Sequence, residues 1–285
     1  MMEKYSVLMT VYHKADPDFL VDAVQSMLDQ TVPTDDFVIV CDGPLTPVLD
    51  QILEDFSSQY AGLFQIIRLP ENVGIGMANN AGLPHCKHDL VAKMDADDLS
   101  LPYRCEQQLQ LFAQNPQLKV VGGYIEEFDQ DPDTPFSVRT VPLSSAEIRV
   151  YAKRRQPFNN QTVMYRRSAV KAVGGYGDFR RSEDYDLYIR LLHAGFETAN
   201  VGRILVKMRV NGATVMRRAS WDTLKGCARS RWNALRLGYS SFLDVAVVVG
   251  AEFVIWISPP GLQRFLYNHF LRKGVSHERE SSVRS

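Results

Sequence analysis

Cysteine is scarce. Cys41, Cys86, Cys105 and Cys227 are scattered through 285 positions, and no two form a C-x-x-C pair. That argues against a disulfide framework and a zinc site, and it suits a reducing compartment. Long apolar runs are missing as well. The longest, Phe242 to Ile257, is interrupted by Asp244 and Glu252. It falls short of the roughly 20 largely uncharged residues that a spanning helix needs. No basic stretch followed by a longer apolar one opens the chain, so no signal peptide is expected. Charge of one sign is not in excess either: 32 Lys and Arg stand against 33 Asp and Glu, a net charge of −1. No global basic field argues for a nucleic-acid partner. What is present, 45% hydrophobic and 23% charged residues, is ordinary for a globular chain that buries one large core or two smaller ones.

The most unusual stretch is Leu90-Val91-Ala92-Lys93-Met94-Asp95-Ala96-Asp97-Asp98. A short apolar run bounded by polar residues reads as a buried strand, here ending in three carboxylates. Strand period is two, so Asp95 and Asp97 point the same way if the extended conformation persists past Met94. Clustered carboxylates repel unless a cation or donors compensate. Oxygen-only ligands suit Mg²⁺ or Mn²⁺, which are commonly shared with substrate phosphates. The competing explanation is a solvated acidic turn capping a helix that begins near Pro102. The rest of the chain has to decide between them.

Taken in order, the first half alternates strand and helix. Strands are expected at Tyr5–Val11, Phe37–Cys41, Phe64–Leu69 and the Leu90 run. Helices are expected from Pro17, with Asp16 as N-cap, from Pro47, from Ile75 to His85 and from Pro102 to Asn115. Leu20, Ala23, Val24, Met27 and Leu28 would form the inner face of the first. Val48, Leu49, Ile52, Leu53 and Phe56 would do so in the second. Such alternation implies an α/β fold with a mainly parallel sheet flanked by helices. Ligands then sit beyond the carboxyl ends of the strands. The unusual residues gather there: Thr10 and Tyr12, Asp42, Asn72 and Gly74, then Asp95 and Asp97. Asp42 in Asp42-Gly43-Pro44 can also be a simple turn former. Gly74-Ile75-Gly76 follows the third strand, and Asn79 replaces the last glycine of a dinucleotide fingerprint. These glycines therefore read as a tight turn and close packing.

Four motifs in order now carry a resemblance: Val7-Leu8-Met9-Thr10-Val11-Tyr12, Val40-Cys41-Asp42-Gly43, Asn72-Val73-Gly74-Ile75-Gly76-Met77-Ala78-Asn79-Asn80-Ala81-Gly82, and Met94-Asp95-Ala96-Asp97-Asp98. Together they resemble the family 2 glycosyltransferases of the GT-A fold over roughly the first two hundred residues. The resemblance implies that Thr10, Tyr12 and Asp42 contact the nucleobase and ribose of a nucleotide sugar. Asn72, Gly74 and Lys93 would lie against the same nucleotide. Asp95 would reach the ribose or a metal-bound water, and Asp97 would be the main ligand of a divalent cation, Mn²⁺ or Mg²⁺. A cation at the departing diphosphate stabilises the transition state more than the ground state.

In the second half, Val120–Phe128 and Gln161–Arg166 read as strand, 129–135 as loop, and Ser145–Tyr151 as a short helix before the basic Lys153-Arg154-Arg155. Ser182-Glu183-Asp184 opens a helix, with Ser182 as N-cap and acidic residues favouring the dipole. By resemblance, Glu183 stands with the donor and Asp184 takes the proton from the acceptor hydroxyl, which implies inversion at the anomeric carbon. Two positions depart from the family. Phe158-Asn159-Asn160-Gln161 lacks a histidine common in relatives, and Asn211 stands where a metal-binding histidine is common, offering a weaker oxygen ligand. A helix is expected from Arg217 to Leu237 with Trp221, Leu224, Ala228, Trp232 and Leu235 on one side. The apolar and basic alternation of Leu262–Lys273 fits a helix lying in a membrane surface or a helical pair packed on the catalytic domain.

The expected organisation is a GT-A catalytic domain over 1–215, a helical extension over 216–273 and a disordered tail over 274–285. The expected activity is transfer of a hexose from a nucleotide sugar, UDP-linked, to a hydroxyl of a lipid-linked (polyprenyl diphosphate) glycan at the cytoplasmic face of a membrane. Two rivals stand beside it. A nucleotidyltransferase would show a glycine-rich phosphate loop after the first strand, which Thr10-Val11-Tyr12-His13 is not. A non-catalytic glycan-binding module would predict loss of Asp97 or Asp184, and both are present.

Overall fold

The computed structural model describes residues 2–210 and 220–258. Strand β1 (Tyr5–Val11) runs through the middle of its parallel half. Successive side chains leave a strand on opposite faces. Tyr5, Val7, Met9 and Val11 enter one core and Leu8 enters the other. Strands β2 (Phe37–Cys41), β3 (Phe64–Arg68) and β4 (Leu90–Asp95) join in parallel in the order β3-β2-β1-β4. Helices α1 (Pro17–Leu28) and α2 (Pro47–Gln59), with α4 (Arg104–Gln114), cover the first face, and α3 (Ile75–Gly82) covers the second.

Local chemistry starts the helices where it should. The Asp16 carboxylate accepts the N–H groups of Asp18 and Phe19 at 3.0 and 3.3 Å, with Pro17 in the first helical position. The Thr46 hydroxyl accepts the Leu49 N–H at 3.4 Å ahead of α2. One inward assignment fails: Val48 is 56% exposed, and the buried stripe of α2 is Leu49, Leu53 and Phe56.

Past β4 the sheet turns mixed. Strand β8 (Met164–Arg166) is antiparallel to both β4 and β6 (Leu118–Phe128), and β6 runs parallel to the long β9 (Glu197–Arg209). The two-residue β5 (Leu99–Ser100) edges β9, and β7 (Ser137–Arg139) lies along β6. The order is β3-β2-β1-β4-β8-β6-β9-β5. Helices α5 (Ser145–Ala152), α6 (Arg167–Ala172), α7 (Glu183–His193) and α8 (Trp221–Arg236) gather over the second face. The last described helix, α9 (Phe242–Ile257), packs on α8, with the Trp221 and Trp256 rings 5.0 Å apart.

The sequence reading had no counterpart for β5, β7, α6 or most of β9. The first three are too short to show a period, and β9 interleaves apolar residues with Asn200, Gly202, Arg203 and Lys207. Gln161–Arg166 is strand only from Met164, because residues 160–162 form a 3₁₀ turn. Helix α8 is rotated from expectation. Leu224, Ser230, Arg231 and Ala234 are buried, while Trp221 and Trp232 are about half exposed. Tertiary contacts set this rotation. Gly226 lies so close to the irregular 177–182 connection that a Cβ on it would stand 2.5 Å from the Arg181 carbonyl oxygen, and the Arg231 guanidinium lies 3.6 Å from the Tyr185 ring centre. Asn211, the Leu262–Lys273 segment and the 274–285 tail lie outside the described residues. Among the described residues no helix is long and apolar enough to cross a membrane.

Candidate active site

The carboxyl ends of β1, β2 and β4 are level. Thr10 is the lateral partner of both Val40 and Asp95, and Val11 of Cys41. This register brings Thr10, Tyr12, Asp42 and Asp95 to one edge of the sheet, where ligands of open α/β folds bind. Asp42 is nearly buried, and its carboxylate holds the β3–α3 turn. It accepts from Asn72 Nδ2 at 2.8 Å, from the Val73 N–H at 2.7 Å and from the Gly74 N–H at 3.1 Å. Gly74 has φ 89°, a left-handed conformation that only glycine adopts without strain. Asn72 Oδ1 accepts in turn from Arg180 Nη1 at 3.2 Å.

The acidic motif departs from the simple alternation argument. Strand β4 stops at Asp95, and Ala96 and Asp97 form a turn, so the pleat does not carry Asp97 to the side of Asp95. A turn brings the carboxylates together instead. Lys93 is 2% exposed and its ammonium is paired with Asp95. Asp97 is exposed, while Asp98 is buried and accepts the Arg209 N–H at 2.9 Å from the end of β9. Burial, then the charges of Asp97 and Asp95, push the Asp98 carboxyl well above the usual range.

The third contribution is the start of α7. Ser182 was expected to cap it; instead Ser182 adopts φ 65° and its side chain makes no capping hydrogen bond. This left-handed turn follows the 177–182 connection directly into Glu183 and Asp184. Asp184 accepts the Tyr185 N–H at 2.7 Å on Oδ1 and Gln156 Nε2 at 2.6 Å on Oδ2. Burial, then the charge of Asp184, push the Glu183 carboxyl up to about 8. Burial also raises the Asp184 carboxyl, against the Tyr185 N–H, Lys93 and Gln156. Lys93 and Asp95 act on both groups. Lys93 and Asp95 at the end of β4 therefore lie close enough to the start of α7 for their charges to act on Glu183 and Asp184.

The sequence assigns no role to three residues here: Gln156 and Arg104 lie outside every motif, and Asp98 lies within the acidic one. Gln156 braces Asp184. Asp98 ties the acidic turn to β9. Arg104, fully buried on α4, donates from Nη2 to the Lys93 carbonyl oxygen at 2.6 Å and sets a cation beneath Asp95 and Asp98. A lone Arg or Gln in sequence gives no hint of such partners.

Among the described residues no group of three His, Cys, Asp or Glu side chains forms a ready metal cage. The donor set still fits a hard cation. Asp95 and Asp97 supply oxygen, and Mg²⁺-type ions take the remaining positions from substrate phosphate and water. Burial first, then the charges of Asp97 and Asp95, raise the Asp98 carboxyl, and a cation here would relieve the repulsion among the three.

The family model "Glycosyl transferase family 2" matches residues 6–174. The chain belongs to this family. As a family 2 glycosyltransferase it is similar to an uncharacterized glycosyltransferase of Haemophilus influenzae, 38% identical over 95% of this chain and 100% of that one. It is 31% identical to the UDP-Gal:alpha-D-GlcNAc-diphosphoundecaprenol beta-1,3-galactosyltransferase of Escherichia coli, over 95% of this chain and 97% of that one. Among solved structures it resembles a mannosyltransferase from Pyrobaculum calidifontis in complex with GDP-Man and Mn²⁺. The TM-score is 0.64 with 14% identity, covering 99% of this chain and 84% of that chain. The glycosyltransferase fold is GT-A, as the motifs implied. The family match ends before Glu183, so the participation of α7 rests on the geometry above.

Proposed function

We propose that this transferase is inverting, and that it moves a hexose from a UDP-sugar to a hydroxyl of a polyprenyl diphosphate-linked glycan during assembly of a surface polysaccharide. One observation carries the reading: Asp184 lines an open cavity and lies within the field of Lys93 and Asp95. A single carboxylate base opposite a diphosphate site implies direct displacement with inversion. The 31% relative, which uses UDP-Gal and a diphosphate-linked acceptor, supports the donor and acceptor classes.

Thr10, Tyr12 and the Asp42–Asn72–Gly74 turn would hold the nucleotide, with Lys93 and Glu183 setting the field at the sugar diphosphate. Asp95 and Asp97 would hold a divalent cation, and Asn211 is the candidate for a further ligand. When bound, that cation supplies charge neutralisation at the leaving nucleoside diphosphate. Asp184 accepts the proton of the acceptor hydroxyl. Burial raises that carboxyl from its ordinary range, the direction that makes the carboxylate a stronger base.

The outer side of α9 supports contact with the acceptor's membrane. Phe242 is 72% exposed, Leu243 64% and Ile257 59%, on a helix that buries only Asp244 and Val245. Apolar side chains exposed together on one helix mark a contact surface, and the acceptor's membrane is the surface we assign to it. We assign the chain to the cytoplasmic face of the inner membrane as a peripheral protein. The test is release of nucleoside diphosphate from a panel of UDP- and GDP-hexoses, with and without Mn²⁺, and with a GlcNAc-diphospholipid analogue as acceptor. Absence of turnover with every donor and cation would remove the proposal.

A further inference from the structure

A cavity of about 350 Å³ lies between the 156–161 segment, the start of α7 and the inner side of α8. Asp184 lines it together with Gln156, Asn160, Gln161, Arg139 and Arg231. The polar groups divide into those already engaged and those left over. Arg231 stacks on Tyr185 and donates to the carbonyl oxygens of Ala152 and Lys153 at 3.4 and 3.3 Å, so it builds the wall. Asn160 Oδ1 accepts the Tyr188 hydroxyl at 2.7 Å, which leaves its NH₂ for the cavity.

Gln156 is the informative residue. Its Nε2 donates to Asp184 Oδ2 at 2.6 Å, and that bond fixes which way the amide faces. Its Oε1 is buried and has no partner among the described residues. An unmet buried acceptor costs about 1–3 kcal/mol, so it wants a hydroxyl or N–H from whatever fills the cavity. At the exposed side, Arg139 on β7 makes no ion pair or side-chain hydrogen bond with a described residue. A base, an orphan acceptor beside it and an uncommitted guanidinium together describe a site for a hydroxylated, anionic ligand.

We propose that this cavity is the acceptor subsite. It takes one pyranose ring: a hydroxyl next to the reacting one donates to Gln156 Oε1, and Arg139 meets the phosphate carried by the same sugar. The inference rests on the transferase reading and gives that reading its acceptor contacts. In the step itself, the reacting O–H passes its proton to the Asp184 carboxylate. The oxygen forms the new bond to the anomeric carbon, and the old anomeric C–O bond breaks with its electron pair leaving on the nucleoside diphosphate. Helix α8 then belongs to the site, because Cys227, Ser230 and Arg231 close the cavity wall.

The test compares pyranose acceptors, GlcNAc among them, each as a soluble 1-phosphate, as a short-chain lipid diphosphate and as a neutral alkyl glycoside. Wild type should prefer the two phosphorylated forms over the neutral one by about 10-fold or more, the size of a charge-assisted contact. Arg139→Ala should erase most of that preference and Arg139→Lys should keep part of it. A gain from the lipid chain that survives in Arg139→Ala would assign the remainder to lipid contact and not to phosphate. Gln156→Ala should raise the acceptor KM about 10-fold while UDP affinity moves less than about twofold. An acceptor deoxygenated next to the reacting hydroxyl should show the same loss on wild type and no further loss on Gln156→Ala. An unchanged phosphate preference in Arg139→Ala, or equal losses of donor and acceptor affinity in Gln156→Ala, would overturn the proposal. Donor hydrolysis without transfer to any of these sugars would overturn it and leave the transferase reading standing. Absence of donor hydrolysis would remove the transferase reading itself.

Discussion

Gly76 and Glu183 touch where the first turns of α3 and α7 meet: a Cβ on Gly76 would stand 3.1 Å from the Glu183 Cβ and 3.3 Å from the Gly177 carbonyl oxygen. The missing side chain lets a helix start from the nucleotide side of the cleft abut the one that carries Asp184. Gly76→Ala should therefore act on geometry more than on stability. The alanine gains about 1 kcal/mol of helix propensity, which offsets part of an overpacking cost of about 1–3 kcal/mol. Turnover should fall on the order of 10- to 100-fold from misplacement of Glu183 and Asp184. Steady-state kinetics beside a thermal melt would check this, and near-normal kcat would show that the contact is not needed.

Asp97→Ala and Asp184→Ala should each abolish transfer with the fold intact. They should differ in detail. Asp97→Ala should lose the response of activity to added Mn²⁺. Asp184→Ala should keep cation-dependent nucleotide binding and lose transfer by roughly 10²–10⁴-fold, the usual range for a general base. Calorimetric titration with Mn²⁺ and UDP would separate the two. Near-normal turnover in either variant would take that residue out of the mechanism.

Stability of the free protein should fall as pH rises through the neutral range. Glu183 has an ordinary value of 4.5 and is pushed up to about 8 in the fold, by burial first and Asp184 next. Between those values the folded state binds more protons than the unfolded state, so unfolding free energy declines with pH. Below 4.5 both states are protonated and the decline is absent. Glu183→Gln should flatten the fall of Tm between about pH 5 and 8, measured without ligand. Parallel Tm curves for wild type and variant would contradict the assignment.

Asp42 should be both structural and functional. Its carboxylate carries three hydrogen bonds to Asn72, Val73 and Gly74. Asp42→Ala leaves those donors unmet and should destabilise by about 1–3 kcal/mol, with loss of UDP binding. Asn72→Ala removes one of the three donors and should cost less stability. Chemical denaturation alongside nucleotide titration would measure both.

The exposed apolar side of α9 should govern association with lipid. Replacing Phe242, Leu243 and Ile257 together with serine should reduce sedimentation with phospholipid vesicles while turnover of a soluble acceptor persists. Retained vesicle binding would assign membrane contact elsewhere.

Much of the nucleotide half was legible in advance because its signals are local. Period-two and period-3.6 hydrophobicity located β1 to β4 and α1 to α4. Asp16-Pro17 and Thr46-Pro47 start helices through side-chain oxygens that satisfy the nearest free N–H groups. The gathering of Asp42, Asn72 and Asp95 at strand ends follows from parallel order, since parallel strands put their carboxyl ends on one edge. Elements that depend on remote partners were not legible. Strand β5 is two residues long and exists because β9 pairs with it. The rotation of α8 comes from Gly226 against Arg181 and Arg231 against Tyr185.

The sequence by itself therefore determined the alternating α/β order, the family and the chemical kind of each candidate group. Tertiary structure alone decided which of those groups meet. It put Asp98 on Arg209, Gln156 on Asp184 and Gly76 against Glu183, and it gave Ser182 a left-handed backbone where the residue type suggested a cap. The physical reason is range. Caps, turns and hydrophobic period act within a few residues, whereas burial, shared fields and close packing depend on segments far apart in the chain.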